Sequence, residues 1–329
     1  MRVLIIGFGS IGKRHAQIVK KKFPHAEIAI FRRTETNDPC LTPKNFILIN
    51  KEMEALNYSP DIAIVANPAS FHEDFSTKLL ARNIDILVEK PISHNYESAS
   101  RIYESFIASQ AKCQIGYNLQ FLESLIFLKD YLDVSAHGEI YVVHCTVGQF
   151  LPNWRKDKHY SDSVSAQKKL GGGVLRELSH DINYLIWIFG KVNWVQSLIE
   201  KKSNLKIDVE DMANIFLECE SEKFKKVPVT ISMDFLRRDS QRKIKIICEK
   251  GTIKWDGIDN EVKFFSAETN KWQILFSKKI KKNQTYEDQF SFFINETKTS
   301  KSILGALETI RAIEAIELSN KEMKRIFLD

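Results

Sequence analysis

The chain has 329 residues, 43% of them hydrophobic and 27% charged, a composition that excludes intrinsic disorder and a length that allows two domains with separate cores. Its net charge of +6 is mild, and the densest basic runs, Lys20 to Lys22 and Lys278 to Lys282, carry no interleaved aromatics, so they read as solvated faces and no nucleic-acid partner is expected. Five cysteines (Cys40, Cys113, Cys145, Cys219 and Cys248) lie far apart without a C-x-x-C pair, no signal-peptide pattern opens the chain, and no apolar run approaches a membrane span of ~20 residues, which predicts a soluble protein of the reducing cytoplasm with no membrane partner.

In chain order, the apolar run Val3 to Ile6 leads directly into Gly7-Phe8-Gly9-Ser10-Ile11-Gly12, and a helical pattern starts at Ile11. A buried strand, a G-x-G-x-x-G turn and a helix are the setting in which this spacing holds a dinucleotide pyrophosphate. Gly7 permits the turn, Gly9 lets phosphate approach the backbone, Gly12 lets the helix pack on the strand, and Ser10 and Ile11 open the helix whose N-terminus attracts the anion. The second strand ends in Phe31-Arg32-Arg33, where an acid would bond the ribose 2′-hydroxyl of NAD. Two guanidinium groups suit the 2′-phosphate of NADP, although a loop arginine also stacks on adenine with either cofactor.

Further strand-like runs at 46–49, 62–66, 84–88 and 113–116 alternate with helical patterns at 51–57, 70–82 and 95–109, the βαβ rhythm of a doubly wound parallel sheet. Three motifs close the later strands: Asn67-Pro68 followed by His72, then Glu89-Lys90-Pro91, then Tyr117-Asn118. Ligands bind open α/β sheets at the carboxyl ends of strands, so these motifs border the same crevice as the glycine turn.

After a helix near 121–132 the strands lengthen and alternate, at 139–148, 194–200, 213–219, 227–234, 243–248 and 252–255, which predicts a mostly antiparallel sheet with one face solvated or covered by a partner. One helix, 174–189, interrupts them, and two helices, at about 284–297 and 303–319, end the chain. The expected fold class is α/β: an N-terminal Rossmann domain over 1–120, then a C-terminal α+β domain over 121–329 with an open, mostly antiparallel sheet, the terminal helix packing back on the first domain. Gly171-Gly172-Gly173 precede the interrupting helix, on which Glu177, His180, Asp181 and Tyr184 fall on one face at i, i+3, i+4 and i+7, a plausible acid–base surface. Before the glycines, Trp154, Arg155, Lys158 and Tyr160 lie in a polar insertion, with Trp154, Arg155 and Tyr160 suited to clamp a sugar or a phosphate. No group has metal-ligand spacing, and His72-Glu73-Asp74 lacks the second histidine of H-E-x-x-H.

From GFGSIG through VEKP to GGGVLRELSHDINYL, the chain resembles the Gfo/Idh/MocA family of nicotinamide-dependent oxidoreductases, with Glu-Lys-Pro the most specific part and SHDIN resembling a branch among surface-sugar biosynthesis enzymes. The resemblance implies chemistry at a sugar or cyclitol carbon. It makes Lys90 the first catalytic candidate, an ammonium that bonds the substrate oxygen and, in a desolvated cleft, loses its proton more readily. Many members carry an acid with a histidine four positions later; here Glu177 and Asp181 have that spacing and His180 comes one position early, leaving both His180 and Asp181 open as the second catalytic group. Gln120 stands where members often have arginine, and His15 matches a residue common in the family.

The expected activity is hydride transfer between NADP or NAD and a sugar or nucleotide-sugar hydroxyl carbon. The expected site has catalytic Lys90, His180, Asp181 and Glu177. It has Gly7, Gly9, Ser10, Ile11, Gly12, Arg32, Arg33, Asn67, Pro68, His72, Glu89, Lys90 and Asn118 at the cofactor, and Lys90, Tyr117, Trp154, Arg155, Tyr160, His180 and Tyr184 at the substrate. Two alternatives stand beside it: a non-catalytic nicotinamide-binding sensor, and an NAD-dependent glycoside hydrolase of the same fold. The alternation over 227–235 leaves an apolar sheet face with too few helices to cover it, which predicts a homodimer or homotetramer.

Overall fold

The computed structural model describes residues 1–33, 46–134, 137–154 and 159–328. The chain divides into two units, 1–117 with 286–310, and 118–285 with 311–329. Residues 286–310 belong to the first unit although they follow most of the second in sequence. The cause is apolar: Phe290 and Phe293 are buried in one cluster with Ile5, Val19, Ile30 and Ile64.

The first unit is built on β1 (Arg2–Ile6), α1 (Ser10–Lys22), β2 (Glu27–Phe31), β3 (Ile47–Ile49), α2 (Glu52–Asn57), β4 (Ile62–Val65), α3 (His72–Leu80), β5 (Asp85–Val88), α4 (Tyr96–Ala108) and β6 (Cys113–Ile115). Its six strands are parallel in the order β3-β2-β1-β4-β5-β6. The unbroken burial of Ile62 to Val65 follows from helices on both faces of such a sheet. The order reverses between β1 and β4, which makes the turns after those two strands the natural borders of a ligand crevice.

The second unit contains α5 (Glu123–Asp133), β7 (Ile140–Gly148), α6 (Val174–Glu177), α7 (Ser179–Phe189), β8 (Lys191–Glu200), β9 (Met212–Glu220), β10 (Val227–Asp234), β11 (Gln241–Cys248), β12 (Gly251–Asp256), β13 (Glu261–Ser266) and β14 (Lys271–Ser277). The last elements of the chain are α8 (Gln284–Asn295), α9 (Lys301–Glu322) and β15 (Ile326–Phe327), and the nine-stranded sheet runs β14-β13-β12-β11-β7-β10-β9-β8-β15. All its neighbours are antiparallel except β7 and β10. Register puts Val143, Cys145 and Val147 beside Val229, Ile231 and Met233 on the buried face.

Sequence patterning missed β13, β14 and β15. β14 carries exposed residues on both faces at its start, so the period-2 signal is absent. The expected single helix over 174–189 is a correction: it breaks at Leu178, whose φ of −97° and ψ of 19° end α6 before α7 begins.

Candidate active site

In the first unit the glycine turn behaves as its spacing requires. Gly7 has φ +88°, and a Cβ there would lie 2.9 Å from the Asn67 backbone. A Cβ on Gly12 would lie 2.2 Å from the Gly7 carbonyl oxygen, whereas one on Gly9 would meet no protein atom within 4 Å. The turn is therefore packed from behind and open in front. α1 starts at Ser10 with Ile11 next, without a side-chain cap or an acid in its first turn, and ends in Lys20, Lys21 and Lys22. Its amide end is left for an anion.

Across the crevice border, Asn67 donates from Nδ2 to the Phe71 carbonyl at 3.2 Å, while its Oδ1 is buried with no hydrogen-bond partner. Pro68 leads into the turn 69–71. An orphaned acceptor beside an open glycine turn fits a dinucleotide that brings hydroxyl or amide donors.

His72, expected at the cofactor, is a correction: it is 1% exposed, and its ring faces backbone instead. Nε2 lies 2.8 Å from the Asn67 oxygen and Nδ1 3.0 Å from the Pro91 oxygen. The ring thus packs between the turns after β4 and β5, facing a carbonyl oxygen of each, and burial pushes its pKa down.

Glu89 is likewise a supporting group. Its Oε1 meets His15 Nε2 at 2.7 Å, and its Oε2 accepts the Lys90 amide at 3.2 Å. A Cβ on Gly116, the residue after β6, would sit 2.9 Å from Oε2, so glycine there leaves room for the carboxylate. Burial opposes ionisation of Glu89, but the His15 hydrogen bond, the charges of His15 and Lys90 and the Lys90 amide outweigh it and hold its carboxyl below the usual range. His15 Nδ1 is buried with no hydrogen-bond partner. Lys90 itself is half-buried, on a turn fixed on both sides by buried groups. Tyr117, expected at the substrate, is only 3% exposed.

Beyond β2, Arg32 is half-buried, and Arg33 is exposed. Arg33 is engaged by Asp74 at 2.9 Å and Glu52 at 3.6 Å; Lys78 pairs with the same two acids at 2.5 Å. The two arginines are therefore not equivalent as cofactor candidates.

In the second unit, Asn118 is buried and donates to Thr285 Oγ1 at 2.7 Å, so its amide is engaged within this unit. Gln120 donates to Asn183 Oδ1 at 2.8 Å.

The triple glycine is explained by packing. A Cβ on Gly172 would lie 2.3 Å from the Val164 oxygen, and one on Gly173, at φ +109°, 2.2 Å from the Glu210 carboxylate. That carboxylate accepts the Leu175 amide at 3.2 Å, and burial raises its pKa.

Of the four residues expected on one face, Asp181 and Tyr184 are corrections. Both are fully buried. The Tyr184 hydroxyl donates to Asp181, and Arg242 donates to both carboxylate oxygens from Nε and Nη2, each at 3.2 Å. Burial and the Asp181 charge push the Tyr184 pKa well up, and Trp255 packs edge-on against its ring at 5.4 Å. Both side chains are held in the interior of this unit.

Arg242 was legible only as an oddity, a charge at the inward register position opposite Val147. Glu177 and His180 remain half-buried, with Ser165 Oγ donating to Glu177 at 2.9 Å. Trp154 donates to the Gln149 oxygen at 3.1 Å and packs edge-on to Phe235. The Tyr160 hydroxyl accepts the Lys206 amide at 3.0 Å. Arg155, Lys158 and Cys40 lie outside the described residues. The other four cysteines are buried. Among the described residues no His, Cys, Asp and Glu group could hold a metal, and no helix is long and apolar enough to cross a membrane.

Two family models match: the oxidoreductase family with NAD-binding Rossmann fold over residues 1–117, and the GFO/IDH/MocA C-terminal domain over 126–254. The chain is similar to inositol 2-dehydrogenase of Pseudarthrobacter chlorophenolicus, 27% identical over 44% of each chain. The chain thus spans about 44% of the length of that relative and of the inositol 2-dehydrogenase of an Arthrobacter species. Levoglucosan dehydrogenase in complex with NADH has the same fold, with TM-score 0.84 at 16% identity, covering 100% of this chain and 99% of that one. So does the WlbA dehydrogenase from Bordetella pertussis in complex with NADH and UDP-GlcNAcA, with TM-score 0.81 at 17% identity and the same coverage. With both of its domain models matched in order along a chain of the matching fold, the protein belongs to the GFO/IDH/MocA oxidoreductase family.

Proposed function

We propose that the chain is a nicotinamide-dependent oxidoreductase acting on a hydroxyl-bearing carbon of a sugar or nucleotide sugar. The observation that carries this reading is Lys90, set on a turn after β5 by the buried Glu89–His15 pair and the His72 strut, beside a glycine turn that is open in front. NAD or NADP, when bound, supplies the hydride chemistry. Gly7, Gly9, Gly12 and the α1 amides at Ser10 and Ile11 hold its pyrophosphate, and Asn67 and Pro68 border it. The Lys90 ammonium bonds the substrate oxygen and moves its proton. Of the second catalytic candidates, His180 keeps that role and Glu177 supports it, because Asp181 is committed to Arg242. Trp154 and Tyr160 contribute substrate contacts.

Lys90→Met keeps the stem and removes the ammonium. It should lower kcat by roughly 10²-fold or more in a nicotinamide absorbance assay over a sugar panel, with cofactor affinity nearly unchanged. Turnover at the wild-type rate would overturn the role of Lys90.

The protein acts in the cytoplasm as a homodimer or homotetramer. Support comes from the sheet's outer face. There Trp272, Phe265, Thr252, Ile247 and Val142 follow one another across five strands, and Trp194 pairs with Phe327 at the far edge. Trp272 is 45% exposed and Phe327 67%, so a second copy would remove real apolar area from water. A monomer in light scattering at micromolar concentration contradicts the assembly.

A further inference from the structure

The loop between β10 and β11 holds an arginine that the site described above does not use. Asp234, at the end of β10, accepts the amides of Leu236 and Arg237 at 3.0 and 2.8 Å, and its second oxygen takes Arg237 Nε at 2.7 Å. Gly148 leaves room for that carboxylate: a Cβ there would lie 2.7 Å from it.

The facing loop is locked to the same strand end. The Gln149 amide donates to the Asp234 oxygen and the Leu151 amide to the Phe235 oxygen. Phe150 is thereby held between two fixed residues, and the guanidinium of Arg238 lies on its ring at 3.3 Å from the centroid. Arg238 is exposed, and no acid among the described residues pairs with it. Arg237, one residue earlier, is neutralised by Asp234. Stacking covers one face of the guanidinium and leaves its rim of N–H donors for a planar or tetrahedral oxyanion.

Register shows where this loop is. Asp234 lies beside Gly148 and Met212, and Gln241 beside Gly148. Arg242, at the start of β11, holds Asp181 next to His180. Arg238, Trp154 and the helix bearing His180 therefore gather at one end of the nine-stranded sheet.

We infer that Arg238, clamped on Phe150, anchors an oxyanion of the substrate, so that the substrate is an anionic sugar bearing a phosphate, a diphosphate or a carboxylate. The inference rests on the oxidoreductase reading above and narrows its substrate class.

The test compares glucose 6-phosphate, UDP-glucose, glucuronate and uncharged glucose, by calorimetry with the cofactor-loaded protein and by steady-state kinetics where turnover occurs. One of the three anions should bind wild type at least about 10-fold more tightly than glucose. Arg238→Met should weaken that anion about 10- to 100-fold, as expected for hydrogen bonds to a charged group, appearing in Kd and KM with kcat nearly unchanged. Phe150→Ala, which removes the platform, should give a smaller loss on the same anion and none on glucose. Which anion responds distinguishes phosphate, diphosphate and carboxylate.

If no anion binds more tightly than glucose, or if Arg238→Met leaves anion affinity unchanged, the inference is overturned. Absence of turnover with every sugar, while anion binding still depends on Arg238, would count against the oxidoreductase reading alone.

Discussion

The first unit keeps its buried charge beneath the half-buried Lys90 turn, and the second keeps its buried charge inside the helix expected to react. In the first, Glu89 and His15 are buried together, and the Lys90 turn sits on them half-exposed. In the second, Asp181 is engaged by Arg242 and Tyr184, with the half-buried His180 next to it in sequence. Buried ionic groups thus lie next to half-buried candidates in both units. Substitutions of the buried set should therefore appear as lost stability, and substitutions of the half-exposed set as lost rate.

The largest expected effect tests the second unit. Asp181→Ala leaves the Arg242 guanidinium, which is 25% exposed, without its carboxylate. Removing one partner of a largely buried pair costs about 3 kcal/mol, or roughly 6–12 °C in Tm for a domain of this size. His180→Ala should change stability by less than about 1 kcal/mol and lower kcat about 10-fold or more. Thermal unfolding and kinetics on the same preparations decide the matter. An Asp181→Ala protein with wild-type Tm and a collapsed rate would erase the distinction between the two regions.

The next effect is a pH dependence in the first unit. Burial holds the folded His72 pKa below its usual 6.5. As pH falls below about 6.5, the unfolded chain binds the proton first and stability declines. Glu89 acts at lower pH. Its carboxyl is held below the usual 4.5, so its contribution is complete above that value and is lost as pH falls through the folded pKa. Urea unfolding between pH 8 and pH 5 should show stability rising with pH, by no more than about 1.4 kcal/mol per unit for the one imidazole. His72→Asn should flatten that slope. An equal slope in the variant removes His72 from the account.

How much of this was legible in the sequence follows the same division. The Rossmann sheet and its glycine turn were readable because a parallel sheet forces apolar strands, and the turn's glycines each answer a local steric demand, as at Gly7 and Gly12. The motifs after β4 and β5 were located by topology alone. What their side chains do was not readable. His72 and Glu89 look like ligand groups in a motif, and only packing reveals that their polar atoms are taken by Pro91, Asn67, His15 and Lys90.

In the second unit, helical spacing assumed an unbroken helix through Leu178. The break there, together with Arg242 arriving from a strand about sixty residues away in sequence, turned Asp181 and Tyr184 inward. Gly171 to Gly173 showed in the sequence only as a run before a helix, and packing gives the reason for two of them: Gly172 and Gly173 make room for Val164 and Glu210. Arg238 carried no sequence signal, since its meaning lies in Phe150 beneath it.

The smallest effect concerns cofactor choice. Arg32 and Arg33 in place of an acid favour a 2′-phosphate, yet Arg33 is held by Asp74 and Glu52. The magnitudes decide whether that matters. The Arg33 side chain is 55% exposed and those of the acids about a third, and exposed pairs of this kind are worth about 0.2–1 kcal/mol. A doubly charged phosphate in a bidentate contact competes successfully with such a pair. Binding of NADP(H) should therefore be at least as tight as that of NAD(H), and Asp74→Asn, by loosening the competition, should strengthen NADP(H) binding roughly two- to fivefold while leaving NAD(H) unchanged. Calorimetric titration of both cofactors into both proteins measures this. A wild-type preference for NADH of about tenfold, or ~1.4 kcal/mol, would mean that the acids hold Arg33 against the phosphate. The two-arginine strand end would then be a structural feature of the first unit, with no part in selecting the cofactor.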